Sequence, residues 1–405
     1  MTDTTATETT GAPQGTSGEV FRAFLKLGLT SFGGPIAHLG YFRDELVTRR
    51  RWLSDQSYAD LVALCQFLPG PASSQVGFAL GMMRAGWPGA LAAFVAFTLP
   101  SALILLALAM TASHVSGPVG AGVLHGLKIV AVAIVAQAVW GMAKNLCPDR
   151  ERATIAVGAV AILALVPGAF GMVGAIAFGA VAGLALARGT KQQVSGHVTM
   201  PVSRWLAGLS LVVFAALLVL LPVVAGGSQV LAVFDSFYRA GALVFGGGHV
   251  VLPLLQAETV ATGWVSPGAF LAGYGAAQAV PGPLFTFAAY LGAVLGSEPN
   301  GMAGAAIALL AVFLPGFLIL VGVLPFWDRF RAMAPAQSLM QGANAAVVGI
   351  LGAALYSPVF TSAIGDMRDF TLALLCFVLL MAWKLAPWKV VLIAGIGGAG
   401  LALSV

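Results

Sequence analysis

The chain has 405 residues, of which 59% are hydrophobic and 9% are charged, and its mean hydropathy is +0.94. Soluble domains are ~45–50% apolar and ~25% charged, so this composition excludes an ordinary soluble domain and indicates a polytopic membrane protein. The formal net charge is +5, and residues 232–405 add nothing to it because they hold as many acidic as basic residues. In a membrane protein such an asymmetry reports topology, and it gives no indication of nucleic-acid binding.

Residues 1–18 are rich in Thr and Gly and poor in apolar side chains. They contain no basic region followed by an apolar stretch, so they predict a disordered tail and not a cleaved signal peptide. The three cysteines, Cys65, Cys147 and Cys376, are spaced neither as metal ligands nor as a disulfide framework, and we interpret them as small core residues. No Gly-rich nucleotide-binding loop occurs. We therefore expect no cofactor and no bound metal.

The chain contains an internal repeat. The segment "GLTSFGGP" at residues 28–35 matches "GALVFGGG" at 241–248, and "QFLPGP" at 66–71 matches "QAVPGP" at 278–283. Further matches follow in the same order, so the two halves are copies. We predict a first repeat at 19–188, a polar linker plus joining transmembrane helix at 189–231, and a second repeat at 232–405.

Each half has a Gly-rich segment, a segment broken by Pro-Gly-Pro, and four apolar runs of about the length that spans a bilayer. In the first half the runs cover residues 88–112, 119–143, 153–168 and 170–187. The predicted fold class is an all-α polytopic membrane protein. It consists of two inverted-topology repeats with broken or re-entrant helices and one linking transmembrane helix.

The orientation follows from the basic loops. The basic stretches of the first half can all be cytoplasmic if its broken segment enters and leaves the membrane on one side. The counterpart loop of the second half, Gln256–Trp264, holds no Lys or Arg, as expected for the opposite face. This favours re-entrant elements, a cytoplasmic N terminus and a C terminus outside. The alternative, in which both broken segments cross fully, keeps the inversion but places Arg49, Arg50 and Arg51 outside.

The broken segments predict a binding site. Proline inside a helix costs ~3 kcal/mol, and in lipid such a break is tolerated only where it is buried in protein or lines a wet cavity. Matching breaks in two repeats are typical of transporter substrate sites, and a helix that starts at proline offers free N–H groups to an anion. The candidate substrate-binding residues are Lys26, Gly33, Gly34, Gln66, Gly70, Pro71, Ser73, Ser74, Lys128, Arg239, Gly246, Gly247, Gln278, Gly282, Pro283 and Thr286.

Each class of candidate has a structural alternative. The glycines could pack helices closely, the cations could extend to the membrane interface, and the glutamines could hydrogen-bond between helices. Four titratable residues are candidates for proton coupling: Glu45, Glu258, His38 and His249. Their alternatives are ion pairs with basic neighbours for the glutamates and a structural role for the histidines.

Four segments carry a family resemblance: "SFGGPIAHLGYFRDELV" and "QFLPGPASSQVGFALG" in the first half, "FGGGHVVLPLL" and "QAVPGPLFTFAAYLG" in the second. They resemble the paired signature segments of the chromate ion transporter family, long two-domain type. The resemblance covers the chain from about residue 19 to its end. It implies a transporter of the bacterial inner membrane that extrudes chromate and confers chromate resistance, with sulfate as a structural competitor.

The leading hypothesis is a secondary active oxyanion transporter, not an enzyme, driven by the proton-motive force. Chromate is a tetrahedral dianion, which several converging N–H and hydroxyl donors and one or two cations could hold. Two alternatives stay open: transport of sulfate or another divalent oxyanion, and a passive anion channel. The expected partners are chromate, sulfate, protons and the lipid bilayer, and a homodimer is an open possibility.

Overall fold

The computed structural model describes residues 15–112, 117–186, 202–245, 247–327 and 333–403. Within these ranges every regular element is helical and no strand occurs, which confirms the prediction of an all-α chain. Residues 1–14 of the predicted tail, most of the predicted polar linker and Gly246 lie outside the described residues. The first helix begins at Ser17, so the end of the predicted tail is helical.

The elements follow the same order in both halves. The helices of the first half are α1 (Ser17–Thr30), α2 (Gly34–Phe42), α3 (Asp55–Phe67), α4 (Ala72–Ala112), α5 (Gly117–Leu146), α6 (Arg150–Leu165) and α7 (Ala169–Leu186). The joining helix is α8 (Arg204–Val224). The helices of the second half are α9 (Gln229–Ala242), α10 (Val251–Thr259), α11 (Pro267–Ala277), α12 (Phe287–Ala293), α13 (Gly301–Val323), α14 (Ala334–Ala354), α15 (Met367–Met381) and α16 (Pro387–Leu403).

Helix α4 corresponds to two helices of the second half. Its backbone leaves the helical region at Ala85 and Gly86, where φ is −144° and +63°. Glycine adopts the positive φ without the steric cost that a side chain would add. The part of α4 before the bend matches α12, and the part after it, which contains the predicted apolar run 88–112, matches α13.

The broken segments begin with the same cap. Ser54 precedes α3 and accepts a hydrogen bond from the Ser57 N–H, and Ser266 precedes α11 and accepts one from the Ala269 N–H. Serine is favoured at this position because its hydroxyl satisfies an amide that the helix leaves free. The two helices are therefore started by equivalent residues.

The two ends of each broken segment lie side by side. In the first half, Trp52 Nε1 and Arg84 Nη2 both donate to Glu19 Oε1, at 3.2 and 3.1 Å. In the second half, Gly296 N donates to the Trp264 carbonyl at 3.0 Å. Helix α3 has 13 residues and is therefore ~20 Å long, shorter than the ~30 Å hydrocarbon core of a bilayer. The residues that flank each broken segment therefore lie close together.

The chain contains helices that are long and apolar enough to cross a membrane, as expected for a polytopic membrane protein. Six such segments occur among the described residues: Ala72–Thr111, Gly117–Leu146, Ala169–Leu186, Arg204–Gly227, Gly301–Phe326 and Ala334–Ala363. The predicted run 153–168 forms α6, which has only 16 residues.

The last three helices of each half pack mainly on helices of the other half. Helix α5 of the first half packs on α15 and α16 of the second, while α14 of the second packs on α6 and α7 of the first. Glycines allow the approach: a Cβ on Gly183 would collide with the Ser338 carbonyl, and one on Gly126 with the Ala394 carbonyl. Close packing, the structural alternative proposed for the glycines, therefore describes these helices. The Gly-rich segments, by contrast, contact each other across the two halves.

Candidate functional site

The two Gly-rich segments face each other. A Cβ on Gly34 would lie 3.8 Å from His249 Nε2, and one on Gly248 would lie 2.8 Å from Pro35 Cγ. Gly33, at the start of α2, has φ of +100° and no side-chain cap, so the first-turn amides of α2 are not satisfied by a capping side chain. The predicted residue Gly34 therefore lies where the two halves meet, with Gly33 directly before it, and Gly247 directly precedes Gly248 on the other side.

Each broken segment bonds to the Gly-rich segment of the other half. Gly70 N donates to the Val244 carbonyl at 2.8 Å, and Gly282 N donates to the Ser31 carbonyl at 2.9 Å. Gly70 corresponds to Gly282, and Ser31 corresponds to Val244, so these two bonds are mirror images in sequence. Each glycine has a positive φ, +119° and +104°, which a residue with a Cβ rarely adopts.

The breaks are buried in protein. Pro71 and Pro283 are both buried beside their glycines. Gln75 supplies a hydrogen-bond donor at the first break. Its Nε2 donates to the Pro69 carbonyl at 3.0 Å and to the Gly316 carbonyl at 2.8 Å. A carbonyl freed by proline finds no water in a bilayer and needs such a donor. The sequence reasoning missed this role of Gln75.

A group of buried polar side chains surrounds the first break. We name Ser31, His38, Ser73 and Ser74 the polar cluster; each is at most 3% exposed. His38 Nδ1 lies 3.4 Å from Ser73 Oγ. Ser31 Oγ, His38 Nε2 and Ser74 Oγ have no hydrogen-bond partner within the described part of the chain. Such orphaned groups in a buried place are the kind that a polar ligand satisfies.

Two of the predicted polar residues differ from their counterparts in placement. Gln66 is exposed, whereas Gln278 is half-buried and its Nε2 has no partner among the residues that the structure describes. Thr286 Oγ1 donates to the Pro283 carbonyl at 2.7 Å and so closes the turn after the second break. Lys128 lies at the start of α11, since a Cβ on Gly268 would be 2.9 Å from its Nζ.

The cation predicted in the first half is paired with a predicted proton carrier. Lys26 Nζ lies 2.7 Å from Glu45 Oε2, and Arg50 and Arg49 approach the same carboxylate at 3.0 and 3.5 Å. Burial alone would raise the pKa of Glu45, but the hydrogen bonds from Lys26 and Arg50 hold it below its ordinary value. Glu45 is thus held as an anion by three cations.

The second half has an equivalent ion pair, but there carboxylates outnumber cations. Arg239 Nη2 lies 2.8 Å from Glu258 Oε2 and 3.1 Å from Asp235 Oδ2, so one cation serves two carboxylates. Burial raises the pKa of Glu258 above its ordinary value, and the charge of Arg239 offsets only part of that rise. Asp235 was not among the predicted residues, although its position four residues before Arg239 on α9 is the spacing of a helical ion pair.

A cavity adjoins the facing glycines. It has a volume of about 340 Å³ and is lined by Gly33, Ile134, Gln137, Ala138, His249, Leu380, Lys384, Leu385 and Pro387. Gln137 and Lys384 were not predicted as site residues, because no local motif marks them. Among the described residues, no group of three or more His, Cys, Asp or Glu side chains could hold a metal ion.

Comparison with known proteins identifies the family. The family model described as "Chromate transporter" matches residues 18–184 and again residues 231–400. The chromate transport protein of Pseudomonas aeruginosa is 31% identical over 392 residues, which cover 94% of this chain and 91% of that protein. That of Cupriavidus metallidurans is 29% identical, covering 92% and 90%, and the probable chromate transport protein of Synechococcus elongatus is 27% identical, covering 93% of each.

No solved structure matches this chain. The matched family and the named relatives are transport proteins, which confirms the prediction of a transport protein rather than an enzyme, and the predicted resemblance is confirmed as well. With its apolar helices, the chain is a multi-pass membrane protein. It belongs to the chromate transporter family, which matches both of its halves.

Proposed function

We propose that the protein is a secondary active transporter that extrudes chromate across the bacterial inner membrane and so confers chromate resistance. The observation that carries this proposal is the meeting of both Gly-rich segments and both broken segments between the halves, beside buried polar atoms without partners. Family membership and relatives named chromate transport proteins support the choice of cargo.

The chemistry of the proposed site suits a tetrahedral dianion. An unpaired dianion in a low-dielectric site is very costly, so it needs several donors at once. The α2 amides that follow Gly33 and the hydroxyls of Ser73 and Ser74 are donors of this kind. We propose that the substrate contacts Gly33, Gly34, Gly70 and the polar cluster on one side, and Gly247, Gly282 and Gln278 on the other.

We propose inverted repeats with re-entrant broken segments. The contacts of Trp52 and Arg84 with Glu19, and of Gly296 with Trp264, support the re-entrant form because each segment returns to the end from which it starts. Between the first broken segment and α9, which begins the second half, lie α4 beyond its bend and α5 to α8. If each crosses once, their odd number puts the second half on the opposite face, with the N terminus cytoplasmic and the C terminus outside.

Chromate accumulation in everted membrane vesicles tests the proposal. Vesicles that contain the protein are compared with vesicles that lack it, with and without a protonophore and with and without excess sulfate. Accumulation that the protonophore abolishes supports proton-driven extrusion, and inhibition by sulfate indicates a shared dianion site. Flux that ignores the protonophore would favour a passive channel, and sulfate transport without chromate transport would overturn the cargo.

A further inference from the structure

Lys384 occupies an unusual backbone position. It follows α15 with φ of +53°, and the end of that helix is closed by Leu385 N donating to the Leu379 carbonyl at 3.0 Å. The left-handed residue after a helix is most often glycine, because a Cβ disfavours that conformation. The side chain of Lys384 lines the cavity beside the facing glycines.

The polar lining of the cavity comes from both halves. Gly33 and His249 belong to the two Gly-rich segments, Gln137 to α5 of the first half, and Lys384 to the connection between α15 and α16 of the second. These parts meet because α5 packs on α15 and α16 across the halves. His249 Nδ1 lies 2.8 Å from the Tyr274 hydroxyl, and when that hydroxyl donates, the other ring nitrogen carries the proton and can donate to an anion.

The size of the cavity suits a hydrated anion. A volume of about 340 Å³ corresponds to roughly ten water volumes at ~30 Å³ each. An oxyanion could therefore enter with part of its hydration shell, attracted by one lysine, and lose that shell only at the polar cluster. A single positive charge does not neutralise a dianion, so binding here is weak enough for the anion to move on.

We propose that this cavity is the loading site at which a tetrahedral divalent oxyanion first binds, with Lys384 supplying the charge and Gln137 an amide donor. The inference rests on the proposed function, under which Lys384 faces the cytoplasm, from which chromate is extruded. It assigns a binding role to two residues outside both Gly-rich segments and both broken segments.

The test is initial-rate chromate uptake into everted vesicles over a range of chromate concentrations. Lys384→Gln removes the positive charge that attracts the dianion at close range, so it should raise KM roughly tenfold. Vmax should change little, because the deeper site is intact. Lys384→Arg should restore most of the affinity.

Lys389→Gln is the matched control. This lysine is also exposed, but its Nζ lies over the Trp388 ring at 5.6 Å, and the KM of the variant should stay within about twofold of wild type.

The outcomes separate the two proposals. If wild-type vesicles transport no chromate, the proposed function fails. If they do, and Lys384→Gln has the KM of wild type or Lys389→Gln shows the same rise, the loading site is wrong. Should Lys384→Gln fail to reach the membrane, Gln137→Ala replaces it, and an unchanged KM in that variant also overturns the inference.

Discussion

The two halves of the chain share the order of their helices and breaks but differ in the side chains around them. At the first break, Ser31, His38 and Ser73 are buried polar residues, and their counterparts in the second half are Val244, Val251 and Phe285. Phe285 packs on Phe313, ring centroids 5.6 Å apart, and Phe313 corresponds to Thr98. Phe285 thus adds an apolar contact after the second break, where Ser73 adds a hydroxyl after the first. The repeated backbone path is thus combined with side chains of different polarity in the two copies.

The charged clusters differ in the same way. Glu45 is surrounded by Lys26, Arg49 and Arg50, whereas its counterpart Glu258 shares Arg239 with Asp235. The first cluster holds an excess of positive charge and the second an excess of negative charge. One copy is therefore suited to keeping a carboxylate ionised and the other to binding a proton.

The largest expected effect comes from making the polar cluster resemble the second half. His38→Val introduces the side chain of its counterpart and removes a donor from the proposed substrate site. A hydrogen bond to a charged group is worth ~1.5–3 kcal/mol, so chromate transport should fall by roughly 10- to 100-fold. Uptake in everted vesicles, normalised to the amount of inserted protein, measures it. Val244→Ser, which adds a hydroxyl to the second half, is the control and should leave transport close to wild type; equal losses in both variants would contradict the asymmetry.

The charged clusters predict a more limited effect, because it falls on coupling and leaves movement of the substrate intact. The pKa of Glu258 is raised and that of Glu45 is lowered, so as the pH falls Glu258 binds a proton while Glu45 is still ionised. In proteoliposomes Glu258→Gln, and also Asp235→Asn, should abolish accumulation driven by a pH gradient. Exchange of labelled for unlabelled chromate, which needs no net proton movement, should persist. Glu45→Gln should keep gradient-driven accumulation, and the reverse pattern would assign coupling to the first half.

The sequence predicted the parts of this site that are repeated along the chain. Gly34 and Pro71 stand out because each has a counterpart in a matching motif, and their backbone roles follow from glycine and proline themselves. Gln137 and Lys384 could not be found in this way, since they reach the cavity only through the crossed packing of α5 with α15 and α16. Local motifs report local geometry, and packing between distant helices leaves no such signal.

The smallest expected effect on transport comes from Gln75, which supports the first break without belonging to the polar cluster. Gln75→Leu leaves the Pro69 and Gly316 carbonyls without the donor that now joins them. A buried hydrogen bond between membrane helices is worth ~1–2 kcal/mol, so the detergent-purified protein should unfold at a lower temperature. The protein that does insert should still transport chromate, because none of the proposed substrate donors is removed.

Phe287 is the counterpart of Gln75, and its ring centroid lies 5.2 Å from that of Phe270, so the second break is stabilised by apolar contact instead. Phe287→Leu is therefore the matched variant, and a loss of transport in Gln75→Leu with unchanged thermal stability would move Gln75 from the scaffold into the substrate site.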